Sequence, residues 1–409
     1  MFETAILWEW LSFAVRWAHV VAAIGWIGTS FYFIALDLGL RKHDRLPAGV
    51  RGEEWQVHGG GFYHVQKYMV APAGMPEHLT WFKWESYATW LTGFATLCVV
   101  YYAGAELYLV DRGVLDVAPW IAIVISIASL AFGWLVYDLI CRSLAGRSDT
   151  GLMLLLYVVL VGMAWGYTQL FTPRAAFLHL GAFTATIMTA NVAMIIMPNQ
   201  RKVVRTLKAG EVPDPALGLQ AKQRSTHNNY MTLPVIFMML SIHYPLAFAT
   251  RYNWLIASLV FLMGVTIRHY FNTYHASKRV LIWPWAATLA IFGVIVWLST
   301  FGPRQGQQTA DATPVAPRQL RFVSSPDFEK VQELVTTRCF MCHTREPLWP
   351  GLATPPKGVS FDTKEQIASH ARDIYLQVGL SRAMPPANIT VMDDADRQVI
   401  VRWYEEGAR

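Results

Sequence analysis

Eight largely apolar runs, each long enough to cross a bilayer, constrain this chain more than any other feature. They cover residues 7–36, 87–110, 118–140, 151–170, 174–197, 231–250, 253–275 and 280–301. Roughly 20 helical residues cross the hydrocarbon core. No water there can satisfy a peptide group, so each run must bond its own backbone as a helix. At 54% hydrophobic and 15% charged, the 409-residue chain is too apolar for a soluble protein of this length. The first run is not a cleavable signal, being long, with no basic segment before it and no small-residue cleavage site.

The loops between the runs carry an uneven charge. The first holds Arg41, Lys42, Arg45, Arg51, Lys67 and Lys83, and the third Arg142 and Arg147. The fifth holds Arg201, Lys202, Arg205, Lys208, Lys222 and Arg224, and the seventh Lys278 and Arg279. The intervening loops hold only Arg112, Arg174 and Arg251. By the positive-inside rule the odd loops are cytoplasmic. Eight spans then leave both termini on the outer side, which is the periplasm in a bacterial inner membrane. The formal charge of +6 is modest and sits beside membrane spans, so nothing points to nucleic acid.

The C-terminal part has a different character. Cys339-Phe340-Met341-Cys342-His343 has the spacing of a covalent c-type haem site. There the two thiols hold the porphyrin and the imidazole is an axial iron ligand. A zinc site would want a second ligand pair, and none follows. Cys98 and Cys141 lie in apolar runs, where cysteine behaves as a small hydrophobe. Met384, ahead of Pro385 and Pro386, is the candidate second axial ligand, because the prolines stiffen its loop. Met392 is the rival, in an acidic stretch that reads as a helix start. Residues 326–335 read as an amphipathic helix leading into the motif, and residues 393–404 as a C-terminal helix with acids at its positive end. Residues 302–320, rich in Pro, Gln, Ala and Thr, read as a linker.

Histidines inside the spans are the next signal, since buried imidazoles ligate haem iron. By helical rise His179 and His243 lie roughly 8–11 Å from the outer side, His19 about 18 Å and His269 about 24 Å. A b-type haem would need two of them facing each other. The plain alternative is hydrogen bonding between helices. The first loop, about 50 residues long, carries His58-Gly59-Gly60-Gly61-Phe62-Tyr63-His64 followed by Lys67. Glycines let a ligand approach the backbone closely, and nearby aromatics and lysines suit a flat anion. The alternative is an interfacial segment with an aromatic belt.

Taken together, these segments resemble the bacterial membrane-bound urate oxidase (urate hydroxylase) family. The resemblance rests on residues 17–32, 58–63, 81–85, 191–201, 339–343 and 382–386. His19 with Trp26 and Gly28 is also similar, over a short stretch, to membrane porphyrinogen oxidases. The family resemblance implies an all-α fold with an eight-span bundle over residues 1–301. A linker over residues 302–320 and a small class I cytochrome c domain over residues 321–409 follow. It implies oxidation of urate to 5-hydroxyisourate, with electrons leaving through the c-type haem to a respiratory-chain acceptor. His58 or His64 would then serve as base and Lys67 would hold the anion. Cys339 and Cys342 would carry the haem, with His343 and Met384 on its iron. His19, His179, His243 and His269 are candidate ligands of a further, b-type haem. The alternatives are a membrane porphyrinogen or quinol oxidoreductase, and a non-enzymatic cytochrome on a membrane anchor.

Overall fold

A computed structural model of the protein describes residues 2–68, 76–111, 114–143, 148–248, 250–300, 317–350, 352 and 355–408. Helix α1 (Phe2–Gly39) is a single 38-residue rod. At 1.5 Å per residue it is about 57 Å long, well beyond the ~30 Å hydrocarbon core. Its outward face is apolar and exposed, with Leu7, Trp10, Phe13, Trp17, Val20 and Ile24 uncovered. A face of that kind is suited to lipid.

After α1 comes an antiparallel hairpin of β1 (Val50–His58) and β2 (Gly61–Tyr68), paired from Val57–Phe62 to Glu53–Gln66. The chain is therefore mostly helical and not all-α. The bundle continues with α2 (Trp84–Thr96), which runs on as a π-helical turn over Leu97–Tyr102. Next are α3 (Ala105–Tyr108), α4 (Pro119–Arg142), α5 (Asp149–Thr168) and α6 (Pro173–Ala190). A second π turn, Asn191–Ile196, joins α6 to α7 (Met197–Lys208). Then come α8 (Pro215–Ser241), α9 (Pro245–Phe248), α10 (Asn253–Ser277) and α11 (Trp283–Thr300).

The helix starts are written in the sequence. Thr172 caps α6 by accepting the Ala175 N–H at 3.2 Å, and Asp214 caps α8 by accepting that of Ala216 at 2.9 Å. Each cap is followed by a proline at the first helical position, where its missing N–H costs nothing. The bundle core is built on α6, where Phe177, Leu180 and Phe183 pack with Tyr101, Tyr167, Phe171 and Val260.

Among the described residues, five helices are long and apolar enough to cross a membrane, where eight apolar runs were expected. The other three depart for visible reasons. The second run is split between α2 and its π turn. The sixth run is the apolar end of α8, whose first half holds Arg224, His227, Asn228 and Asn229. The eighth, α11, is a shorter apolar helix.

The C-terminal unit consists of α12 (Pro317–Val323), α13 (Phe328–Arg338), α14 (Lys364–Ser369), α15 (Ala371–Ile374) and α16 (Asp394–Ala408). Its core joins Val331 and Val335 to Ile367, Ile400 and Trp403. Phe322 belongs to that core, and its carbonyl accepts the Trp403 indole N–H at 2.8 Å. The last residues of the expected linker, 317–320, are thus helix belonging to this unit. Its residues 302–316 lie outside the described residues.

Polar contacts among the described residues tie this unit to the bundle. Tyr108 donates to Asp373 at 3.0 Å, and Arg372 lies 3.4 Å from Glu9. The start of α1 therefore sits beside the C-terminal unit. The opposite end of α1 carries the hairpin, through an ion pair of Asp37 with Lys67.

Candidate functional site

The CxxCH segment is a helical turn following α13. The Cys339 N–H bonds back to the Val335 carbonyl at 2.9 Å, and the His343 N–H to the Cys339 carbonyl at 2.8 Å. Both thiols are free and half-buried. His343 donates from Nδ1 to the Val359 carbonyl at 2.9 Å, which turns Nε2 toward any metal. That second bond is how ligating imidazoles are usually oriented. Burial lowers the His343 pKa and so favours the neutral form that ligates. Burial, with the neighbouring Cys342, pushes the Cys339 thiol up to about 12.

Met384 is half-buried against the C-terminal core, whereas Met392 lies fully inside it. The Met384 loop is held from below by Arg397. That guanidinium donates to the Val378 carbonyl at 2.6 Å, the Met384 carbonyl at 3.0 Å and Asn388 Oδ1 at 3.1 Å. Cys339, Cys342, His343 and Met384 therefore suit a c-type haem by donor chemistry and by the orientation of His343. Among the described residues no cluster of three or more His, Cys, Asp or Glu could hold a metal ion. A haem iron draws at most two ligands from the protein, so that finding does not bear on it.

The in-span histidines differ from one another. His179 is 0% exposed and uses both ring nitrogens, Nδ1 with the Ala175 carbonyl and Nε2 with Ser126 Oγ, each at 2.7 Å. Neither nitrogen is presented to an iron, so here the hydrogen-bonding alternative describes His179. His19 instead donates from Nδ1 to the Thr89 carbonyl at 3.0 Å, the same arrangement as His343. It lies against α2 at Gly93, where an added Cβ would fall 2.8 Å from its ring. His243 is exposed in the turn after α8, and His269 packs on Trp283 at 5.4 Å. Of the four, His179 has both ring nitrogens engaged, and His19 has the Nδ1-anchored arrangement of a ligating imidazole.

The glycine run has a conformational role. Gly59 and Gly60 have φ of +61° and +80°, and they are the two residues between the paired His58 and Gly61. A two-residue turn with both φ positive is the hairpin connection that matches strand twist, and glycine adopts it without strain. His58 is exposed at this tip. His64 bonds Glu53 at 2.7 Å and stacks on Trp55 at 4.2 Å. Lys67 pairs with Asp37. Hydrogen bonds from His43, His64 and Gln66 pull the Glu53 carboxyl down to about 2. His58, His64 and Lys67 thus have separate surroundings and do not converge. A cleft of about 400 Å³ between the hairpin, α1 and α10 is lined by Tyr32, Arg41, Glu54, Gln56 and His275, and by none of those three.

A polar cluster that sequence reasoning assigned partly to a loop lies inside the bundle. Arg224 is 1% exposed, stacks over the Tyr137 ring at 4.9 Å and donates to Asp138 at 2.6 Å. Asp138 also pairs with Arg142 at 2.7 Å. The Tyr137 hydroxyl lies 2.7 Å from His227 Nδ1 and accepts from Asn191 Nδ2 at 3.0 Å. Asn191 Nδ2 also reaches Asn228 Oδ1 at 3.0 Å. Beside it, Arg268 lies over Phe31 and bonds Asn229 and Asn272. The available signal was the i, i+3, i+4 spacing of Arg224, His227 and Asn228, which puts them on one helix face.

No curated protein and no solved structure matches the chain. Residues 5–299, from near the start of α1 almost to the end of α11, match the family model described as Urate oxidase N-terminal. The match takes in the hairpin and the whole buried cluster, and the chain belongs to the urate oxidase N-terminal family.

Proposed function

We propose that this protein is a membrane-bound urate oxidase whose electrons leave through a c-type haem on its C-terminal unit. The family match over residues 5–299 carries the urate half of this reading. Urate plus water gives 5-hydroxyisourate, two protons and two electrons. When bound, a c-type haem supplies one-electron acceptance.

The chain's own residues contribute the rest. Cys339 and Cys342 would hold the group covalently, His343 is oriented by the Val359 carbonyl and favoured as neutral by burial, and Arg397 fixes the Met384 loop. Tyr108 and Arg372 keep this unit against the bundle. Five spanning-type helices support a membrane location. We extend the count to eight, with the C-terminal unit in the periplasm of a bacterial inner membrane, on the loop charges. The ends of α1 agree with that topology, because its first turns and the C-terminal unit share one side. The acceptor would be a respiratory-chain component.

The test is to add urate to oxidised membranes and follow the haem c absorption band. Reduction by urate is expected. Reduction by another donor but not by urate would overturn the proposal. A porphyrinogen or quinol oxidoreductase is the second reading, favoured by the ligand-type arrangement of His19. Reduction by a quinol or porphyrinogen but not by urate would select it.

A further inference from the structure

We propose that the buried cluster around Arg224 and Asn191 is the substrate site, and that it takes a planar, anionic heterocycle rich in carbonyls, the oxopurine class. This rests on the urate reading above and gives it a place in the fold.

The first observation is incomplete hydrogen bonding in a dry place. Arg224 Nη2 is held by Asp138, while Nε and Nη1 are buried and make no hydrogen bond among the described residues. Asn191 is 0% exposed. Its Nδ2 has two partners, which fixes the amide orientation, and its Oδ1 has none among the described residues. Trp134 stands one turn before Tyr137 on α4, on the same face, and its buried Nε1 is likewise unpartnered. Folded proteins bond nearly all such groups, so open atoms on Arg224 and Asn191, with another one helical turn from Tyr137, need an explanation.

The second observation is backbone geometry. Asn191 begins the π turn between α6 and α7. An inserted residue of this kind re-aims side chains, and such turns concentrate at functional sites.

The open groups also define what fits. Arg224 Nε, Arg224 Nη1 and Trp134 Nε1 are donors, as is Asn229 Nδ2 beside them, and Asn191 Oδ1 is an acceptor. A ligand matching them presents several carbonyl or anionic oxygens and at least one N–H. Arg224 and Arg142 against Asp138 leave a net positive charge, and among the described residues Arg268 beside them bonds only amide oxygens, so the surroundings suit an anion. Arg142 is exposed at the end of α4, so this edge of the cluster lies nearest the end of the bundle that carries the basic loops. His227, on Tyr137, is placed to receive a proton through the phenol.

The test uses the full chain in membranes, with its electron carriers chemically reduced so that labelled urate binds without turnover. Asn191→Ala is expected to weaken urate binding at least tenfold. Because Arg224→Gln alone strands Asp138, the pair Arg224→Gln with Asp138→Asn removes the charge without an unpaired partner. That pair is expected to weaken urate at least thirtyfold. Folded variants that bind urate within twofold of the unaltered chain would overturn the site. If the unaltered chain still oxidises urate in that case, the wider reading stands without it. A fall in turnover at unchanged affinity would also overturn the proposal and assign the cluster to proton movement. If the unaltered chain neither binds nor oxidises urate, both readings fall together.

Discussion

Two buried arginines, one in each half of the molecule, are treated differently. Arg397 in the C-terminal unit is 5% exposed and meets two carbonyls and an amide oxygen. Arg224 in the bundle is 1% exposed, yet only Nη2 of its guanidinium is bonded. Bonds from both terminal nitrogens make Arg397 a brace whose work is done within the fold. An incomplete set leaves Arg224 with donors still to be used, and that is the condition of a binding group. The difference teaches where to look for chemistry. It lies where the fold stops short of satisfying itself, and a count of conspicuous residues such as the hairpin histidines does not find it.

The largest effect is expected from replacing Cys339 and Cys342 together by Ser. Urate-dependent electron transfer should fall at least about 100-fold, more than any single ligand-tuning change gives. Thermal unfolding of the bundle should barely shift, and a large shift would mean the two halves do not fold separately. Next is Arg224→Gln. It leaves Asp138 buried beside only the exposed Arg142, and should cost about 3–5 kcal/mol. Adding Asp138→Asn should recover more than half of that in denaturant titrations of the detergent-solubilised chain. No recovery would make Arg224 a brace like Arg397.

Arg397→Ala should cost about 2–3 kcal/mol, through loss of charge-assisted bonds. It should also loosen the Met384 loop, read as loss of the methionine-to-iron charge-transfer band. Retention of that band would show that the loop is fixed by something else. The smallest effect concerns the hairpin. The Glu53 carboxyl is depressed in the folded state, so its contribution is present above its ordinary value of 4.5 and is lost as pH falls toward about 2. Protease nicking of the hairpin should rise over that interval. Glu53→Gln should flatten the dependence, and an unchanged profile would remove Glu53 as its cause.

What the residues revealed in advance was the local part. The helix expected over residues 326–335 is found at Phe328–Arg338, and the one expected over residues 393–404 at Asp394–Ala408. Both follow from an apolar stripe and acids at a helix start, which neighbours do not have to complete. Three decisions needed the rest of the molecule. His-Gly-Gly-Gly suits either a ligand cradle or a tight turn, and only strand pairing on both sides selects the turn. His179 looks free in sequence, because its partner Ser126 is 53 residues away. The helix of span six begins well before its apolar run, because Arg224, His227, Asn228 and Asn229 depress any average of apolarity. They are tolerable within a helix only because Asp138, Tyr137 and Asn191 arrive from α4 and from the π turn after α6.

The length of α1 has a mechanical consequence. One rigid rod holds Glu9 against Arg372 at one end and Asp37 against Lys67 at the other, about 42 Å apart along its axis. Membrane helices answer a change in bilayer thickness by tilting, typically by about 20°, and such a tilt shortens a rod's projection by about 6%. For α1 that is about 2–3 Å, felt at both anchor points at once. Lipid composition therefore has a lever on how far apart in membrane depth the hairpin and the C-terminal unit sit, with no ligand involved.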